Sequence, residues 1–188
     1  WESDSYQSGT KTGLNGDTSG LTKAVFCNYT VVGPLVSPTS TAYDPQFIAA
    51  AHLRRGSSLS IMNSLIIGYP CGVLIDDDTL YGRTTGNIQS GRLQFRNNAI
   101  SGIPTTNTPG PKEVFYVVVG ARSRTATTAY GDTMTNSPFG SYGGPWGWLH
   151  TSSLKNKIYP NEQTGLRLQS PFNLDNPNFV PTSTSPVS

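Results

Sequence analysis

The amino-acid sequence predicts an all-β fold, and within it a solenoid: a coil of stacked strands with about three to four turns and long protruding loops. Three observations carry this. First, Thr (22), Ser (21), Asn (13), Gly (20) and Pro (14) make up nearly half of the 188 residues, while Glu occurs three times and Lys five. Long surface helices need far more Glu and Lys, so an all-helical fold is excluded. Second, the Val, Ile, Thr, Tyr and Phe present favour a pleated, half-buried backbone. Third, a short pattern occurs three times. Asn28-Tyr29-Thr30-Val31-Val32-Gly33 is matched by Asn63-Ser64-Leu65-Ile66-Ile67-Gly68 and by Asn97-Asn98-Ala99-Ile100-Ser101-Gly102, with the asparagines 35 and 34 residues apart.

Each copy begins two residues before its asparagine, at Phe26, Ile61 and Phe95, and has Val31, Ile66 and Ile100 three residues after it. A unit this short cannot bury its apolar face alone, but stacked units bury a continuous column. Asn28, Asn63 and Asn97 are read as one corner, tolerant of left-handed backbone and able to stack as a hydrogen-bonded ladder. Gly33, Gly68 and Gly102 are read as a second corner with the same backbone need.

The spacing leaves room for loops at 34–45, 76–91 and 103–113, each rich in turn formers. Between Asp44 and Gly56 the chain reads either as a Pro-started helix or as an alternating strand, and the strand is preferred. Residues 114–119, Val-Phe-Tyr-Val-Val-Val, form the strongest strand pattern. Residues 120–147 read as loop with aromatic anchors. The organisation expected is a polar, Gly-rich arm over 1–20 and one domain over 21–188, with a looped aromatic segment at 120–150 and a closing segment at 168–188.

Charged residues are 13% of the chain and the net charge is +2. The basic residues are scattered, which argues against a nucleic-acid partner. No run approaches the roughly 18 apolar residues of a membrane span. The chain begins at Trp1 without a leader pattern, so a processed form or a piece of a longer protein is expected. Cys27 and Cys71 stand either as a disulfide or as free thiols.

Several stretches together resemble a group of exported Bacteroidota surface proteins of the β-helix or type IX secretion kind. They are Ala51-His52-Leu53-Arg54-Arg55-Gly56, Ile61 to Pro70, Gly72-Val73-Leu74-Ile75-Asp76, and Pro171-Phe172-Asn173-Leu174 with Asn176 to Pro181 and Ser185-Pro186. The resemblance covers roughly residues 21–104 and 168–188. It implies a right-handed parallel β-helix on the outside of a cell. It also implies O-glycosylation where Asp-Thr precedes an aliphatic residue or Met, at Thr79 in Asp78-Thr79-Leu80 and Thr133 in Asp132-Thr133-Met134. Asn28-Tyr29-Thr30 matches the N-glycosylation acceptor but sits inside a repeat strand.

Few constellations suggest chemistry. Asp76, Asp77 and Asp78 suit calcium, with Arg54, Arg55 or Arg83 as partners in a lyase-like site; the same aspartates equally suit a turn. No cofactor is otherwise expected. His52 and His150 are the two histidines, and no G-x-S-x-G elbow exists. Tyr142, Trp146 and Trp148 are candidate stacking platforms for sugar rings, set against burial of the same rings in a groove. No catalytic residue is assigned. The expected function is a non-enzymatic extracellular or cell-surface structural protein that partners with itself or with neighbouring surface proteins and assembles into a fibre or layer. The alternatives are a polysaccharide-binding module and a calcium-dependent lyase-like enzyme.

Overall fold

A computed structural model describes residues 2–3, 22–35, 42–44, 46–47, 49–69, 71–77, 84–101, 115–119, 145–159, 166–173 and 175–187. The elements in chain order are β1 (Glu2–Ser3), β2 (Val25–Cys27), β3 (Thr30–Val32), β4 (Ala51–Arg54), β5 (Ser60–Met62), β6 (Leu65–Ile67) and β7 (Val73–Asp77). Then come α1 (Thr84–Gln89), β8 (Phe95–Arg96), β9 (Ala99–Ser101), β10 (Phe115–Val119), α2 (Pro145–Leu149), β11 (Lys157–Tyr159), β12 (Leu168–Ser170) and β13 (Asn178–Pro181). The fold is β-rich, with few helical residues among those described.

Three parallel sheets dominate. Their strand orders are β1-β4-β7-β10, β2-β5-β8 and β3-β6-β9-β11. Each strand from β1 to β7 therefore pairs with the strand three places further along the chain. The registers follow the sequence repeat. Phe26 pairs with Ile61 and Ile61 with Phe95. Val31 pairs with Ile66, Ile66 with Ile100, and Ile100 with Ile158. Leu53 pairs with Ile75, and Ile75 with Val117.

The main core takes residues from all three sheets: Leu53, Val73 and Ile75 from the first, Ile61 and Phe95 from the second, Ile66 and Ile100 from the third. Burying each such side chain contributes about 1.5–3 kcal/mol. Ile88 of α1 and Trp148 and Leu149 of α2 join this core. Because side chains alternate across a strand, Leu65 and Ile67 face away from Ile66. They meet a second cluster with Leu166, Leu168 and Phe172. At β6 the third sheet thus meets apolar side chains on both faces, which is why Leu65-Ile66-Ile67 reads as an unbroken apolar run. Leu166, Leu168 and Phe172, in and beside β12, supply this cover, and β12 pairs antiparallel with β13.

The structure corrects several expectations. Residues 76–91 hold a helix, α1, as well as loop. Its Thr84, Thr85 and Asn87 are buried despite their polarity. Gly56 N–H donates to Thr84 Oγ1 at 3.2 Å, and Asn87 Nδ2 donates to Gly56 and Ser57 carbonyls at 2.6 and 3.2 Å. These side chains tie down the turn after β4, where Arg55 and Gly56 have φ of 51° and 72°. The aromatic stretch likewise ends in a helix, α2, at residues read as loop. Asp44 starts no helix: its Oδ1 accepts from Gln46 N–H at 2.8 Å, and the strand reading holds at Ala51–Arg54. No disulfide joins Cys27 and Cys71; the first is exposed and the second buried.

Candidate functional site

The second and third sheets meet at a corner of two residues. At Asn28, Asn63 and Asn97 the backbone is left-handed, with φ of 62°, 50° and 55°. A fourth corner precedes β11 at Lys155, φ 55°, 58 residues beyond Asn97. Sequence reasoning missed it because Lys replaces Asn and the spacing is longer. The signal available was Ile158, three residues on, matching Val31, Ile66 and Ile100.

The ladder at this corner is made by the residue after each left-handed position. Tyr29 N–H donates to Ser64 Oγ at 3.3 Å, Ser64 N–H to Asn98 Oδ1 at 2.9 Å, and Asn98 N–H to Asn156 Oδ1 at 3.1 Å. In return Asn98 Nδ2 donates to Ile61 carbonyl at 3.0 Å, and Asn156 Nδ2 to Phe95 carbonyl at 2.8 Å. The expectation that Asn28, Asn63 and Asn97 themselves form this ladder is corrected. A left-handed residue turns its side chain outward, and all three are exposed. Of the glycine corner, Gly68 has φ of 70° and Gly33 does not share that backbone. Gly33 is required for space: a Cβ there would lie 2.1 Å from the Gly68 carbonyl oxygen. Gly102 lies outside the described residues.

Outside this corner runs a groove of about 520 Å³. One wall is the row Asn28, Asn63, Asn97 and Lys155; beside it runs the row Thr30, Leu65, Ala99 and Lys157. Tyr29 and Tyr159 stand toward its two ends, and Pro186 and Val187 of the closing segment form the far side. A second hollow of about 620 Å³, lined by His150, Thr151, Ser152 and Ile158, shares Lys155 and Lys157 with the first. Both lysines are exposed, and among the described residues no carboxylate lines either space. This surface offers amide and hydroxyl donors and acceptors, two phenol rings and two ammonium groups, which is a chemistry of binding.

The sequence-derived candidates fall elsewhere. Trp148 is 2% exposed and packs on Phe95, with ring centroids 6.3 Å apart, so its faces are spent in the core and offer no sugar platform. Trp146 lies in α2. Asp76 and Asp77 end β7, where Arg54 is in register with Asp76. Asp78, Thr79, Thr133 and Tyr142 lie outside the described residues. Among the described residues no three His, Cys, Asp or Glu gather as metal ligands, and no helix is long and apolar enough to cross a membrane. His52 sits in β4, and His150 follows α2. The chain matches no family model, no curated protein and no solved structure.

Proposed function

We propose that the chain is a right-handed parallel β-helix serving as a non-enzymatic structural protein of a cell surface or extracellular layer, stacking on copies of itself. The observation that supports this most directly is the three-strand pairing period from β1 to β10. A chain that returns to the same three sheets in the same order winds as a coil, and parallel crossovers are right-handed in nearly all proteins. Among the described strands, β3 ends its sheet on one side and β11 on the other. Terminal strands of this kind template further pairing. A head-to-tail contact between such ends propagates without closing, giving a fibre. The charge-poor, Ser- and Thr-rich composition and the family resemblance support a location outside the cell, with O-glycans at Thr79 and Thr133.

Negative-stain electron microscopy of the protein from its native source tests this reading. Regular fibres or sheets are expected, and dispersed particles at every concentration overturn it. Deleting residues 1–20, the proposed arm, is expected to weaken assembly; assembly that survives the deletion intact removes the arm from the account.

A further inference from the structure

Three corners put Asn at the left-handed position, and the fourth puts Lys155 there. Asn accepts that backbone readily, whereas a lysine gains nothing from it and bears the steric cost of its Cβ. One row further, the register that carries Thr30, Leu65 and Ala99 ends in Lys157. Both departures from the repeat bring an ammonium group to the same end of the same groove, and among the described residues no carboxylate lines it. The left-handed turn itself is needed to set Asn156 in the ladder, but nothing in that role calls for a lysine, and the exposed charge at both positions is what the other corners lack.

We propose that this groove binds an anionic polysaccharide. The amides of Asn28, Asn63 and Asn97 each donate and accept, as sugar hydroxyls do. They repeat at about 4.8 Å, the spacing of paired strands, so they meet successive stretches of an extended polymer. Tyr29 and Tyr159 present rings with a polar tip toward either end of the groove. Lys155 and Lys157 meet carboxylate or sulfate groups through charge-assisted hydrogen bonds. An acidic peptide suits the groove less well. The groove runs across four strands of one sheet and not along any one of them, so a peptide lying in it does not add to the sheet as a further strand. The binding does not depend on self-assembly.

The test is affinity electrophoresis and calorimetry of the full chain with heparin (sulfated), polygalacturonate (uronate), dextran (neutral) and poly-glutamate. Binding to heparin or polygalacturonate is expected, weakening with salt, with none to dextran; whichever anion binds identifies the acidic group. The variant K155N/K157T, which restores the repeat's own residues, is expected to bind about tenfold more weakly for each lysine removed while keeping its melting temperature. Asn63→Asp, an exposed and nearly isosteric change that adds a carboxylate to the row, is expected to weaken binding as well. Failure to bind either anionic glycan at low salt overturns the proposal, as does undiminished binding by K155N/K157T. Equal affinity for poly-glutamate also overturns it and reassigns the groove to an acidic polypeptide.

Discussion

Replacing Asn98 by Ala separates the inner ladder from the outer row of asparagines. Asn98 is 1% exposed and serves two backbone groups: Ser64 N–H at 2.9 Å and Ile61 carbonyl at 3.0 Å. Ser64 is 4% exposed and Ile61 is fully buried, so water does not replace either bond. A buried polar backbone group left unmet costs about 1–3 kcal/mol. Two such groups, with some relaxation, put the loss at about 3 kcal/mol. For a chain of this length 1 kcal/mol moves the melting temperature by about 2–4 °C, so Asn98→Ala is expected to melt about 6–12 °C lower. The neighbour Asn97 is exposed at φ 55°, and Asn97→Ala loses only the tolerance of Asn for that backbone, about 1 kcal/mol. The assay is thermal and urea unfolding of the three proteins by circular dichroism, with the urea slope unchanged. Equal losses for the two variants, or a larger loss at Asn97, would refute the argument that the inner residue holds the corner together.

Gly33→Ala drives a Cβ into the Gly68 backbone at 2.1 Å and is expected to cost about 3 kcal/mol or more. Gly91→Ala, at φ 71° with open space around it, is expected to cost about 1 kcal/mol; soluble yield and melting temperature compare the two. Thiol titration of the native protein is expected to label Cys27 quickly and Cys71 only after unfolding, since the first is exposed and the second buried. Burial raises the Tyr69 phenol above its ordinary value of 10.0. The fold thus favours the neutral form: that contribution is fully present below pH 10.0 and is lost as pH rises beyond it. Alkaline melting curves of wild type and Tyr69→Phe are expected to diverge above that pH, the Phe variant falling less steeply.

The repeat was legible because its signal is local and periodic. Phe26, Ile61 and Phe95 are adjacent in register, as are Val31, Ile66 and Ile100. Each set occupies a position where only an apolar side chain can fill the interior. The fourth corner escaped notice because a surface lysine obeys no packing constraint and the spacing stretched to 58 residues. The helices α1 and α2 were illegible for another reason. Thr-Thr-Gly-Asn-Ile-Gln has poor helix propensity, and its buried Thr84 and Asn87 are held by bonds to Gly56, 28 and 31 residues away. The groove was hidden as well. Its lysines are remote in sequence from its asparagines, and only strand pairing sets them in one row. Trp148 is a case the residues left between display and burial, and contact with Phe95 selects burial.

The corner ladder also has a direction in time. Each of the three asparagine corners is completed by what comes after it: Asn28 N–H by the carbonyl of Met62, Asn63 N–H by that of Arg96, Asn97 N–H by that of Leu154. The side chains obey the same order, Ser64 serving Tyr29, Asn98 serving Ser64, and Asn156 serving Asn98. A chain emerging N-terminus first therefore leaves every corner open until a further 34 to 58 residues have been made. Trimming from the two ends is correspondingly unequal. Loss of the segment holding Leu154 and Asn156 strands Asn97 N–H, Asn98 N–H and the Phe95 carbonyl in what remains, whereas loss of the first corner leaves those later bonds complete.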